Sequence, residues 1–175
     1  MRIAPARPDD HADFHGLYRA AAADPGGLLR TLPEITAAYT GALLARAIDG
    51  GFVLLARDDD GAPLGAILAV TPPERAFRHL LSDLTVFVDP RARGRGVGRA
   101  LFERFLGAVE RDLPHVSRVE LFVREAHARA VRFYEALGFV REGRFPGKIL
   151  GPGGAPETPL AMAWRRPGAQ PDSGT

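Results

Sequence analysis

Residues 84–102 read LTVFVDPRARGRGVGRALF. The stretch begins inside LLSDLTVFV (80–88), a run rich in β-branched and aromatic residues that predicts a buried central strand. It ends in a helical pattern, with Val97, Leu101, Phe105 and Ala108 recurring at helix spacing to about Arg111. Between the two, Gly94, Gly96 and Gly98 are interleaved with Arg91, Arg93, Arg95 and Arg99. A helix that starts here leaves its first backbone N–H groups without intrahelical acceptors, and its dipole adds partial positive charge. Phosphate is the natural ligand of such a helix start. Glycine lets the backbone approach a phosphate oxygen and tolerates positive φ, so successive N–H groups can form an anion nest. Arginine adds attraction and bidentate contacts. RGRGVG (93–98) is not a P-loop, because no Lys-Ser or Lys-Thr follows. Nor is it the dinucleotide fingerprint, since Arg99 and Leu101 stand where a third glycine would fall. Taken alone, the loop reads equally well as an arginine-rich surface turn.

Outward from this stretch, short strands and amphipathic helices alternate, which is an α/β or α+β pattern. Residues 2–7 predict a first strand. PDDHADFHGLYRAAA (8–22) predicts a helix with acidic residues in its first turn and Phe14, Leu17 and Tyr18 on one face. DPGGLLRTLP (24–33) predicts a loop, and 33–47 a second helix with Ile35, Ala38, Tyr39, Ala42 and Leu43 on one face. Apolar runs at 52–56 and 64–70 flank the turn-forming DDDGAP, a hairpin signal. SRVELFV (117–123) predicts a strand, and HARAVRFYEAL (127–137) a helix stopped by Gly138. GFVREGRF (138–145) and TPLAMAW (158–164) predict the closing strands. From Arg165 the chain turns Pro/Gly/Ser-rich and is expected to be mobile, so one domain covers 1–165 and a flexible tail 166–175.

Composition excludes several classes. The 175 residues are 46% apolar and 25% charged, ordinary for one soluble domain with a real core. No window reaches the roughly 18 continuous apolar residues of a membrane span. MRIAPARPDD lacks the apolar centre of a signal peptide, so the expected location is cytoplasmic. With no cysteine there is no disulfide or thiolate chemistry. His11 and His15 are spaced to share a helix face, but no third ligand accompanies them, and no metal is expected. The formal charge is only +2, so no nucleic-acid partner is expected. Lys148 is the only lysine, and the arginines concentrate in the glycine loop. A local cluster points to a local anion.

The stretch at 84–102 resembles the central motif of the GNAT superfamily of acetyl-CoA-dependent N-acetyltransferases, Gln/Arg-x-x-Gly-x-Gly/Ala, which Arg93, Gly96 and Gly98 fill. HARAVRFYEALGF (127–139) is similar to the family's second motif, Asn-x-x-Ala-x-x-x-Tyr-x-x-x-Gly-Phe. Ala130, Tyr134, Gly138 and Phe139 match, while His127 stands where asparagine is usual. The likeness extends more loosely over roughly 1–165. It implies a mixed, mostly antiparallel sheet of about six to seven strands, flanked by about four helices and splayed at its central strands. It also implies acetyl-CoA as co-substrate, with its pantetheine arm paired to the backbone of Val86, Phe87 and Val88. The pyrophosphate would sit on the N–H groups of Gly94, Arg95, Gly96, Val97, Gly98 and Arg99. His127 either keeps a polar contact to the cofactor or only starts its helix. The implied reaction is direct attack of a primary amine on the thioester, with Tyr134 protonating the leaving thiolate.

The base is less defined. Some family members place a glutamate on the central strand, where Ser82 falls here. The adjacent Asp83 is the carboxylate put forward as catalytic, although strand alternation turns it to the other face unless a bulge intervenes. Glu120, His79, a water chain or an amine that arrives neutral are the alternatives. The acceptor region is expected at 20–40 and 70–80, with Arg30, Glu34, Glu74, Arg75, Arg78 and His79. This mixed charge does not choose between a small amine, an aminoglycoside, an amino acid and a protein terminus. A competing reading is a CoA-binding sensor or regulatory module without turnover, supported by the missing strand glutamate. A nucleic-acid binder lacks an aromatic stacking platform beside the loop. A homodimer is left open.

Overall fold

The computed structural model describes residues 1–23 and 28–168. The chain runs through β1 (Arg2–Pro5), α1 (His11–Ala22), α2 (Ala37–Gly50), β2 (Gly51–Arg57), β3 (Pro63–Val70) and β4 (Leu80–Val88). It continues as α3 (Val97–Asp112), β5 (Arg118–Arg124), α4 (Ala128–Ala136) and β6 (Val140–Arg144). A small pair, β7 (Ile149–Leu150) and β8 (Pro156–Glu157), precedes β9 (Pro159–Arg165). Seven strands form one sheet in the order β1-β2-β3-β4-β5-β9-β6, antiparallel throughout except between β4 and β5.

The sheet is buried on both faces. Phe14, Leu17, Tyr18 and Ala21, at helical spacing on α1, pack with α2 against Val53, Leu55, Ala66, Leu68 and Phe87. On the other face, Val97, Leu101, Phe102 and Phe105 of α3 cover Leu54, Ile67 and Leu84. Alternation along the strands sends neighbouring residues to opposite layers. Phe87 accordingly stacks on Tyr18 at 4.5 Å, while Val86 and Val88 pack on the α3 side.

Two elements begin or end away from their sequence expectation. The second helix starts at Ala37 rather than 33, after a 3₁₀ turn at Leu32–Glu34. Thr31 and Glu34 bond to each other across that turn. Thr36 then caps α2 by accepting the Tyr39 N–H at 3.1 Å, so the helix nucleates at its own cap. At the other end, order persists past Arg165. Arg166 donates to the carbonyls of Val109, Glu110, Leu113 and Val116, closing the C-terminus of α3. The rest of the expected tail, 169–175, lies outside the described residues, as does 24–27 of the first expected loop.

The decisive irregularities lie in β4. It pairs with β5 only through Leu80↔Arg118 and Leu81↔Val119, after which the two strands part. On its other edge Leu68 faces Thr85 while Val70 faces Ser82, so Asp83 and Leu84 together oppose Ala69. This is a bulge, and Asp83 takes φ +53, the one positive φ of a non-glycine residue among those described. Leu81 and Leu84 both reach the α3-side core as a result, although strict alternation would separate them.

Candidate active site

Beyond Leu81 the edge of β4 that faces β5 has no strand partner among the described residues, and it leads straight into the glycine turn. Asp89 ends the strand. Its carboxylate accepts the Arg91 backbone N–H at 2.8 Å and the Arg91 guanidinium at 3.0 and 2.7 Å. These bonds hold its pKa below the usual carboxylate range against the opposing effect of burial. Gly94 and Gly96 take φ +76 and +79, which a side chain would strain, and an added Cβ at either would meet open space. Among the described residues, the backbone N–H groups of Gly94, Gly96, Val97, Gly98 and Arg99 have no acceptor; Ala100 is the first to bond back, to Gly96. That is a helix start with bare donors and room above them, which fits a phosphate group.

The arginines divide unevenly around this turn. Arg91 belongs to Asp89 and is structural. Arg99 lies 3.5 Å from Glu103 and over the Phe133 ring. Arg95 is exposed with no ion pair among the described residues.

Where β4 and β5 part, a cleft of about 610 Å³ opens. Tyr134, His127 and Ala130 of the α4 region line one side, Asp83, Leu84, Thr85 and Val86 of β4 another, and the face of α2 a third. Tyr134 is held by packing: its ring centroid is 5.5 Å from Phe102, 5.6 Å from Phe133 and 6.0 Å from Phe139. Gly138, at φ +89, ends the helix so that the N–H groups of Leu137 and Phe139 both return to the Tyr134 carbonyl. The Tyr134 hydroxyl makes no hydrogen bond among the described residues, and desolvation pushes its pKa up to about 12. His127 caps α4 through its backbone and lines the cleft.

Asp83 sits in the bulge and lines the cleft. The other base candidates fall elsewhere. The Ser82 hydroxyl donates to the Val70 carbonyl. Glu120 is paired with Arg118, which also holds Glu142. His79 is exposed, away from the cleft, and its carbonyl accepts from Ser117 and Arg118. Of the expected acceptor residues, Arg30 and Glu34 line the cleft, whereas Glu74, Arg75 and Arg78 sit exposed around a 3₁₀ turn outside it. His11 and His15 both bond the buried Thr40 hydroxyl at 3.0 Å and join α1 to α2.

Several lining residues were not singled out from sequence. Arg46 extends the 3-4-7 spacing of Tyr39 and Leu43, a legible signal. Arg124 had none: it is 7% exposed and bonds Glu157 at 2.6 Å and the Leu28 carbonyl at 3.4 Å, joining two lips of the cleft.

A bare strand edge that ends in an anion-receptive turn suits an extended ligand with phosphate at one end. Residues 15–139, more than two thirds of the chain, match the family described as the acetyltransferase (GNAT) family, and the chain belongs to it. It is a family that uses acetyl-CoA. Over 91 residues the chain is 37% identical to a mycothiol acetyltransferase of Beutenbergia cavernae, a match covering 52% of this chain but only 29% of that protein. The fold is similar to that of a ribosomal-protein-alanine N-acetyltransferase from Brucella melitensis, with a TM-score of 0.81, 23% identity, and coverage of 95% of this chain and 100% of the other. It is also similar to a Salmonella typhimurium protein solved with its cofactor acetyl-CoA, with a TM-score of 0.82, 21% identity and 99% of each chain covered.

Proposed function

We propose that the protein transfers the acetyl group of acetyl-CoA to a primary amine by direct attack on the thioester. The observation that carries this reading is the unpartnered edge of β4 beyond Leu81, continuous with the bare N–H groups of the glycine turn. Val86, Phe87 and Val88 offer backbone groups to the pantetheine arm as an added strand would. The turn from Gly94 to Arg99 receives the pyrophosphate, with Arg93 and Arg95 adding positive charge beside it. His127 stands across the cleft at the start of α4.

Tyr134 is the general acid. The phenol is protonated at neutral pH and can donate to the departing sulfur, and its raised pKa extends the protonated form further into the alkaline range. Asp83, the carboxylate of β4 on the cleft lining, takes the proton that the amine loses as the C–N bond forms and the C–S bond breaks. The products are the amide and free CoA thiol. No helix among the described residues is long and apolar enough to cross a membrane, and the proposal places the enzyme in the cytoplasm.

Acetyl-CoA thermal-shift titration beside an acceptor screen for released thiol tests the reading. Stabilisation with thiol release supports it. Stabilisation without release across many amines favours the CoA-binding module instead. No shift at millimolar acetyl-CoA removes both.

A further inference from the structure

We infer that the acceptor is an apolar amino acid, an amine carrying its own carboxylate, and that Arg46 reads that carboxylate. The inference rests on the acetyltransferase reading and specifies its acceptor. Tyr39, Leu43 and Arg46 form one stripe of α2 along the cleft, and Leu28, Leu29 and Phe122 add an apolar wall. Arg30, Arg46, Arg124, Glu34 and Asp83 supply the acidic and guanidinium groups of the lining. Most are engaged. Arg124 is bonded to Glu157 and Leu28. Glu34 accepts from the Thr31 N–H and hydroxyl at 2.7 Å and lies 3.9 Å from Arg30. Arg30 stacks 4.2 Å from the Tyr39 ring centroid.

Arg46 and Asp83 are left. Neither side chain has an ion pair or hydrogen bond among the described residues, and both are exposed on the lining of the same cleft, where a ligand can reach them. The topology brings their elements together. Gly51, which follows the last turn of α2, pairs with Val70, and Val70 pairs with Ser82 beside the bulge. An ammonium or amine at Asp83 and an anion at Arg46 answer both charges. A polycation does not suit a cleft that three guanidinium groups line. A simple apolar amine makes no use of Arg46, and a peptide N-terminus has no carboxylate beside its amine.

The test compares L-leucine, L-methionine and L-phenylalanine, each with its methyl ester and its decarboxylated amine, in thiol-release assays on the parent and on Arg46→Glu. The ester's less basic amine makes it the easier acceptor on chemical grounds, so a preference for the acid has to come from the site. The expected result is acid preferred over ester in kcat/KM, with Arg46→Glu reducing turnover of the acid about 10- to 100-fold and the ester little. Ester or amine turned over as well as the acid overturns the inference and leaves the acetyltransferase reading standing. So does an acid-to-ester ratio that Arg46→Glu leaves unchanged. Acetyl-CoA stabilisation with no turnover of any of these compounds overturns the inference, and the wider acceptor screen then decides between the acetyltransferase and the CoA-binding module. Failure of acetyl-CoA to stabilise the parent overturns both.

Discussion

At the residue scale, Tyr134 separates packing from chemistry because the same side chain does both. Phe102, Phe133 and Phe139 grip its ring, and Tyr134→Phe keeps that grip. Only the hydroxyl is lost. Melting temperature and acetyl-CoA affinity should change little, while the single-turnover rate with an accepted amine should fall roughly 10²–10⁴-fold. Equal chemical rates would take Tyr134 out of the mechanism. The phenol pKa of about 12 adds a condition: no alkaline loss of activity between pH 7 and 10 should depend on this tyrosine. The match of Tyr134 to a sequence motif made the residue legible, but its environment was not. Phe133 and Phe139 are its neighbours in sequence, but Phe102 comes from α3, and that part of the desolvation depends on how α3 and α4 pack.

At the element scale, two staples hold the layers. Arg166 bonds the carbonyls at the C-terminus of α3, the groups a helix leaves unsatisfied, and its charge opposes the helix dipole there. Arg166→Ala should destabilise by about 1–3 kcal/mol, a fall of roughly 2–12 °C in melting temperature, with acetyl-CoA binding retained. Loss of less than a degree would show that the latch contributes nothing. The second staple is Thr40, which both His11 and His15 bond from α1. Burial lowers the His15 pKa, helped by the nearby charges of Arg19 and His11. The unfolded chain therefore takes up this proton at a higher pH than the folded one, and stability is lost as pH falls below about 6.5. Thermal denaturation of the parent and of His15→Gln between pH 7.5 and 5 checks this; the variant should show the shallower decline. Identical slopes would mean that the loss arises elsewhere.

At the scale of the molecule, the cofactor's turn and the fold's stability are linked. A ligand that binds only the native state adds about 2.7 kcal/mol at 100 times its dissociation constant, or roughly 5–10 °C for a chain of this size. Gly96→Glu should abolish that shift. Its side chain would occupy the open space above the turn, and its charge would repel the phosphates. The variant should still fold, at a backbone cost of about 1–2 kcal/mol from the φ of +79. A full acetyl-CoA shift in Gly96→Glu would show that the turn is not the phosphate cradle.

The strand at 80–88, the glycine turn and the helix from Val97 are written in local pattern: β-branched composition, glycine spacing or helical period within one short window. Tyr134 stands out only through its match to a family motif. The assembled sheet decided that β4 and β5 part after Leu81, and that Asp83 sits in a bulge opposite Ala69 on the cleft lining. It also decided that Arg46 and Arg124 reach that cleft while Glu120 and His79 do not. A bulge and a splay are properties of pairs of strands, set by how residues distant in the chain share hydrogen bonds and core volume. The residues of one strand do not carry that information.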